Sequence, residues 1–145
     1  MNFNTPTSTV LYSIEKAIKA YRKLCSKNIS AVLPDLTLDQ ALILLILDKT
    51  EGLTQMEIAK LVFKDYASIT RILALMQQKN YINKGINSED RRRSVLEITT
   101  KGKEALVILA PIISLNRETA LNGISAEEQQ QLYGILNKIT TNCNE

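Results

Sequence analysis

The stretch Tyr81-Ile-Asn-Lys-Gly-Ile-Asn-Ser-Glu-Asp-Arg-Arg-Arg-Ser-Val-Leu-Glu-Ile98 decides the fold. Both of its ends read as strands. Tyr81, Ile82 and Ile86 are the apolar members of the first, Tyr81 to Ile86, and Val95, Leu96 and Ile98 those of the second, Ser94 to Ile98. Aromatic and branched side chains of this kind pack well on a pleated surface. Between them lies Asn87-Ser-Glu-Asp-Arg-Arg-Arg93, a loop too charged to bury. The spacing therefore predicts a β-hairpin with an arginine-rich tip.

Immediately before the hairpin come two short helices. Thr54-x-x-Glu57 has capping-box spacing and opens a helix from Gln55 to about Val62. Lys64, Asp65 and Tyr66 form a polar break, after which Asp65 or Ser68 can cap a helix running to about Lys79. Ile69, Ile72, Leu73, Leu75 and Met76 give that helix its apolar positions. Asn80 then supplies the residue type that, after glycine, best tolerates a left-handed helix end. Two short helices joined by a tight polar link have the form of a helix-turn-helix, although taken alone they fit a plain helical hairpin equally well. A β-hairpin following at once makes the order that of a winged helix.

Further out, apolar residues recur at steps of three and four from Leu11 through Ile29, which predicts an amphipathic helix over Val10 to Leu33, broken by Pro34 and Asp35. Thr37 and Gln40 can form a capping box for a second helix. Its run Ala41 to Leu47 is apolar on nearly all sides and calls for a central, buried position. On the other side Thr99 caps a long helix, Thr100 to about Leu121, which Pro111 is expected to kink. A Ser125/Glu128 capping box opens a last helix to about Thr140, striped by Leu132, Ile135, Leu136 and Ile139. The fold class expected is mainly α with a small β-hairpin wing: one domain over residues 1–145, with a winged helix-turn-helix at about 36–99 and flanking helices at about 8–33 and 100–142.

At 145 residues and 16.3 kDa the chain can bury a single core, and 45% hydrophobic against 23% charged residues is a globular balance. It has no histidine, which removes histidine-based acid–base and nucleophilic catalysis and histidine-ligated zinc. The two cysteines, Cys25 and Cys143, have no CxxC partner. Neither GxGxxG nor GxxxxGK occurs, so no cofactor is expected. A small enzyme working through Asp, Glu or Lys is disfavoured. Residues 1–9 are polar and uncharged, unlike a signal peptide, and the longest apolar run is far short of the roughly 20 residues that span a bilayer. A cytoplasmic protein with no membrane partner is expected.

The charge is unevenly placed. From Lys60 to Lys103 there are ten basic and four acidic residues, a surplus of six positive charges; the rest of the chain carries eight basic and eleven acidic. A basic middle between acidic ends suits an anionic partner such as double-stranded DNA, though an unevenly charged solvated surface has the same signature.

The whole order of elements resembles the MarR family of bacterial transcription regulators. The most specific piece is Asp90-Arg91-Arg92 followed by Leu96-Glu-Ile-Thr99 and Lys101-Gly102, similar to the family's wing signature and the start of its next helix. Leu36-Thr37-x-x-Gln40 and Ile69-Thr70-Arg71 also resemble family positions. Ile98 stands for the usual Leu, Asn80 for the usual Gly, and Ala74 with Leu75 for a pair that is often polar, which removes any ion pair expected there.

The resemblance implies a DNA-binding regulator of transcription, a ligand-responsive repressor acting as a homodimer built from both chain ends, on a pseudo-palindromic operator. Ser68, Thr70 and Arg71 are then the groove-facing residues of the second helix-turn-helix helix. Alternatively Thr70 packs internally and Arg71 serves a structural ion pair. In the wing, the resemblance makes Arg92 the minor-groove arginine and Asp90 the residue that shapes the loop. Arg91 and Arg93, on the opposite side of an extended segment, are left for phosphates or solvent. Family members commonly release DNA when a small phenolic or anionic effector binds, and some sense oxidants through a cysteine. Cys25 is the candidate for the latter, set against its reading as a core cysteine. A winged-helix module that binds protein and no DNA is the remaining alternative.

Overall fold

The computed structural model describes residues 5–86 and 94–145. Six helices and one hairpin follow in the expected order: α1 Val10–Val32, α2 Leu38–Lys49, α3 Gln55–Leu61, α4 Tyr66–Gln78, β1 Ile82–Ile86, β2 Ser94–Ile98, α5 Thr100–Ala120 and α6 Ala126–Cys143. A single 3-10 turn, Pro6–Ser8, precedes α1.

The polar residues ahead of each helix act as read. The Thr9, Thr37, Thr54, Asp65, Thr99 and Ser125 side chains each accept a backbone N–H from the first turn that follows. Asp65, and not Ser68, caps α4, taking the Ser68 N–H at 2.7 Å. The boxes at Thr37/Gln40 and Ser125/Glu128 are reciprocal. At Thr54 the Glu57 carboxylate turns back on the threonine hydroxyl, at 3.0 Å, in place of its backbone N–H. The strands pair antiparallel, Ile82 opposite Ile98 and Ile86 opposite Ser94. Tyr81 lies just ahead of β1, and α5 runs through Pro111 without ending.

The core belongs to the winged helix. Ile43 and Leu44 of α2, Ile58 of α3, Ile69, Leu73 and Met76 of α4, and Tyr81, Ile82 and Leu109 are all closed to solvent. Burying an aliphatic or aromatic side chain of this size stabilises by about 1.5–3 kcal/mol. α2 is the central helix, as its apolar run demands. Gly102 sits where a Cβ would collide with the Tyr81 carbonyl oxygen and the Ile98 side chain, so the start of α5 can press against the hairpin only with glycine there.

The flanking helices are different. α1 buries only Cys25 and Ile29, and α6 buries nothing. Val107, Leu115, Leu132, Tyr133 and Ile135 all stand in solvent. No described helix is long and apolar enough to cross a membrane.

Candidate nucleic-acid interface

α3 and α4 meet at the expected polar break, in a turn whose left-handed residue the sequence does not announce. Phe63 adopts φ 59, the left-handed region that ordinarily favours glycine, and its side chain is 93% exposed. The turn is held by the Lys64 N–H on the Ala59 carbonyl at 2.9 Å and by the Asp65 cap. The Ser68 N–H bond is the main cause holding the Asp65 carboxyl below its usual range. Asn80 takes φ 66, the left-handed helix end expected of it.

α4 presents its outer face as follows. Ile69, Leu73 and Met76 point into the core, leaving Tyr66, Ala67, Thr70, Arg71, Ala74 and Leu75 exposed; Ser68 is half-buried. Thr70 donates its hydroxyl to the Tyr66 carbonyl at 2.8 Å and accepts from Gln55 Nε2 at 2.5 Å. The hydroxyl is thus consumed inside the helix pair. Arg71 joins none of the ion pairs among the described residues. Lys60, Lys64 and Lys84 are exposed on α3, the turn and β1. Asp90, Arg91, Arg92 and Arg93 lie outside the described residues.

Behind the helix pair, a polar seam ties the hairpin and the end of α4 to α5. Tyr81 donates to Asp35 Oδ1 at 2.5 Å, and Lys101 reaches Asp35 Oδ2 at 3.3 Å and the Lys79 carbonyl at 2.7 Å. The Lys101 ammonium also lies 4.3 Å from the centre of the Tyr81 ring. Tyr81's hydrogen bond and the Lys101 charge hold the Asp35 carboxyl below its usual range, while burial and Asp35 push the Tyr81 phenol up. Thr99 Oγ1 shares its hydrogen between the carbonyls of Asn80 at 2.6 Å and Tyr81 at 3.0 Å, and accepts the Gly102 N–H at 3.0 Å. The Thr99-x-Lys101-Gly102 signature is thereby explained: each member holds the hairpin's base against α5.

Asp39, near the start of α2, joins two other elements. Arg22 of α1 reaches it at 2.6 Å and Lys64 of the turn at 3.3 Å. Burial alone would raise the Asp39 carboxyl, but these two cations outweigh it and hold it low. Arg22 also lines a cavity of about 210 Å³ between α1, α2 and α5, with Tyr21, Cys25, Leu42, Asn116 and Arg117 in its wall. Asn28 of α1 donates to the buried Asn116 of α5 at 2.7 Å beside it. Cys25 is 6% exposed, and burial together with Cys25 raises the Tyr21 phenol. That setting favours its reading as a packing residue. The sequence carried no sign of the cavity, because its wall is ordinary helix residues brought together only by packing.

An exposed second helix, a tight turn and an adjoining hairpin define a winged helix-turn-helix protein with long terminal helices. Known proteins agree over the whole length. MepR of S. aureus, solved as a DNA complex, superposes with a TM-score of 0.82 at 23% identity, covering 92% of this chain and 98% of that one. BpsR of Bordetella bronchiseptica, whose DNA binding is regulated by 6-hydroxynicotinic acid, gives 0.81 at 15% identity, with 94% and 96% covered. PcaV of Streptomyces coelicolor with its natural ligand gives 0.79 at 20% identity, with 97% and 98% covered. The sequence model of the MarR family matches residues 35–93, from just ahead of α2 to just ahead of β2. Over those residues the chain is similar to the MarR family.

Proposed function

We propose that this protein is a sequence-specific DNA-binding transcription regulator, a ligand-responsive repressor that acts as a homodimer in the cytoplasm. The observation that carries the reading is the exposed face of α4, with Lys60, Lys64 and Lys84 exposed on the adjoining α3, turn and β1. Phosphate contacts from such cations supply affinity, and the helix in the major groove supplies sequence reading. The apolar side chains left in solvent on α1, α5 and α6 are the surface that a second copy covers. Two-fold symmetry then sets two α4 helices about one DNA turn apart, roughly 34 Å, on a pseudo-palindrome. The cavity beside Arg22 and Arg117 suits a small effector with an apolar body and an anionic or phenolic group. No catalytic role is assigned.

Fluorescence-anisotropy titration against DNA from upstream of the protein's own gene, with scrambled competitor and varied salt, tests the reading. Tight, competitor-resistant binding with a steep salt slope is expected. Arg92→Ala weakens it by about 1–3 kcal/mol. Binding no better than to the scrambled DNA, there and across genomic fragments, overturns it.

A further inference from the structure

We infer that α4 reads its half-site chiefly through the C5 methyl groups of thymines, with Tyr66 and Thr70 as the specificity-determining pair. The inference rests on the DNA-binding reading above and deepens it. Thr70 looks like a polar reader in the sequence, yet its hydroxyl is spent on the Tyr66 carbonyl and Gln55. What it offers the outside is its methyl group. Tyr66 stands one helical turn earlier on the same face, 55% exposed, and Ala74 one turn later. Ala67 adds another methyl beside Tyr66. From Tyr66 to Leu75 the exposed face is therefore largely a stripe of apolar groups, interrupted by the Tyr66 hydroxyl and one cation, Arg71.

The major groove shows four base-pair patterns, and thymine alone presents a methyl. A helix face with few free donors and acceptors, the Tyr66 phenol and Arg71 aside, gains little from adenine, guanine or cytosine edges, but buries apolar area against thymine. Arg71 is left to take a guanine edge or a phosphate. Tyr66, first in the helix, enters deepest, because recognition helices approach bases by their N-terminal residues.

The test uses the full-length protein and the fragment it selects from a random DNA pool. Each thymine of the half-site is replaced singly by uracil, which removes only the methyl, and affinity is read by anisotropy at fixed salt. At the thymines under α4, a loss of about four-fold each is expected, the worth of one buried methyl-sized group. Tyr66→Ala weakens binding and erases the uracil penalty at its own thymine, whereas Tyr66→Phe keeps both. Thr70→Val, which retains the methyl and drops the hydroxyl, binds as tightly as the parent; Thr70→Ser, with the opposite exchange, does not. A merely structural role would lower affinity for thymine and uracil fragments alike. Specific binding that ignores every uracil, or a Thr70→Ser that binds while Thr70→Val fails, overturns this inference and leaves the regulator reading intact. Failure to select any fragment overturns both.

Discussion

The winged helix and the terminal helices are built from similar amounts of apolar sequence, yet they finish differently. In the first, Ile43, Leu44, Ile58, Ile69 and Leu73 are wholly enclosed by the chain's own elements. In the second, Tyr133 is 71% and Ile135 54% exposed, on a helix that is properly capped and fully formed. Helix formation and burial are thus separable here. Local signals suffice to make α6, but Leu132 and Ile135 of its stripe stay exposed and Leu136 and Ile139 are only half-buried. The winged helix closes its core with a few residues of α1 and α5, such as Ile29, Ala105 and Leu109, while the rest of the terminal helices leaves apolar side chains in solvent.

The largest expected effect tests that contrast directly. Leu73→Ala leaves a cavity in a closed core and costs about 2–5 kcal/mol at any protein concentration. Tyr133→Ala removes more atoms, yet leaves the winged helix within about 0.5 kcal/mol of its parent stability. Its cost falls on assembly, read as a higher dimer dissociation constant in sedimentation equilibrium. Equal losses for both in dilute protein would break the comparison, because α6 would then be part of the same core.

The contrast also explains what could be read from the sequence. Caps, breaks and apolar spacing are local, so element order and nearly every helix start were legible, down to Asn80 with its positive φ. Phe63 was not, since the turn demands a left-handed residue by tertiary packing while the sequence offers a bulky one. Thr70 lies exposed on the expected helix, but the hydrogen bonds of its hydroxyl, to the Tyr66 carbonyl and from Gln55 on a neighbouring helix, depend on packing that spacing does not show. Ser68 was placed on the face but sits half-buried beside the Asp65 cap. The cavity and the Arg22–Asp39–Lys64 link join residues far apart in the chain, which no spacing rule can show.

Gly102 marks the border of the two regions, and its substitution sharpens where that border lies. Gly102→Ala places a methyl against the Tyr81 backbone and Ile98, neither of which can swing away as a long side chain could. Overpacking of this kind costs about 1–3 kcal/mol. Denaturant unfolding is expected to show that loss, and near-unchanged helicity by circular dichroism would place the damage at the α5–hairpin contact rather than in α5 itself. A neutral substitution would mean that α5 is free to shift against the wing.

The smallest effect concerns the polar seam on that same border. Asp35 accepts from Tyr81 and Lys101, so its folded-state carboxyl titrates below its unfolded value. Such a group adds stability that is fully present above the unfolded pKa and is lost as pH falls through the folded one. The loss therefore belongs to the acid side, below about pH 4 for an ordinary unfolded aspartate. Asp39 and Asp65 shift in the same direction and contribute in the same window, so Asp35→Asn should flatten the acid limb of the stability curve without abolishing it. Tyr81→Phe, which keeps the ring under Lys101 and removes the donated hydrogen bond, should cost about 0.5–1.5 kcal/mol near neutral pH. Lowering pH should shrink that cost, because the protonated carboxyl no longer needs the donor. Thermal unfolding of both variants from pH 7 to pH 3 measures this. A Tyr81→Phe deficit that stays constant over that range would mean the phenol's packing, and not its bond to Asp35, ties the hairpin's base to the α1–α2 link.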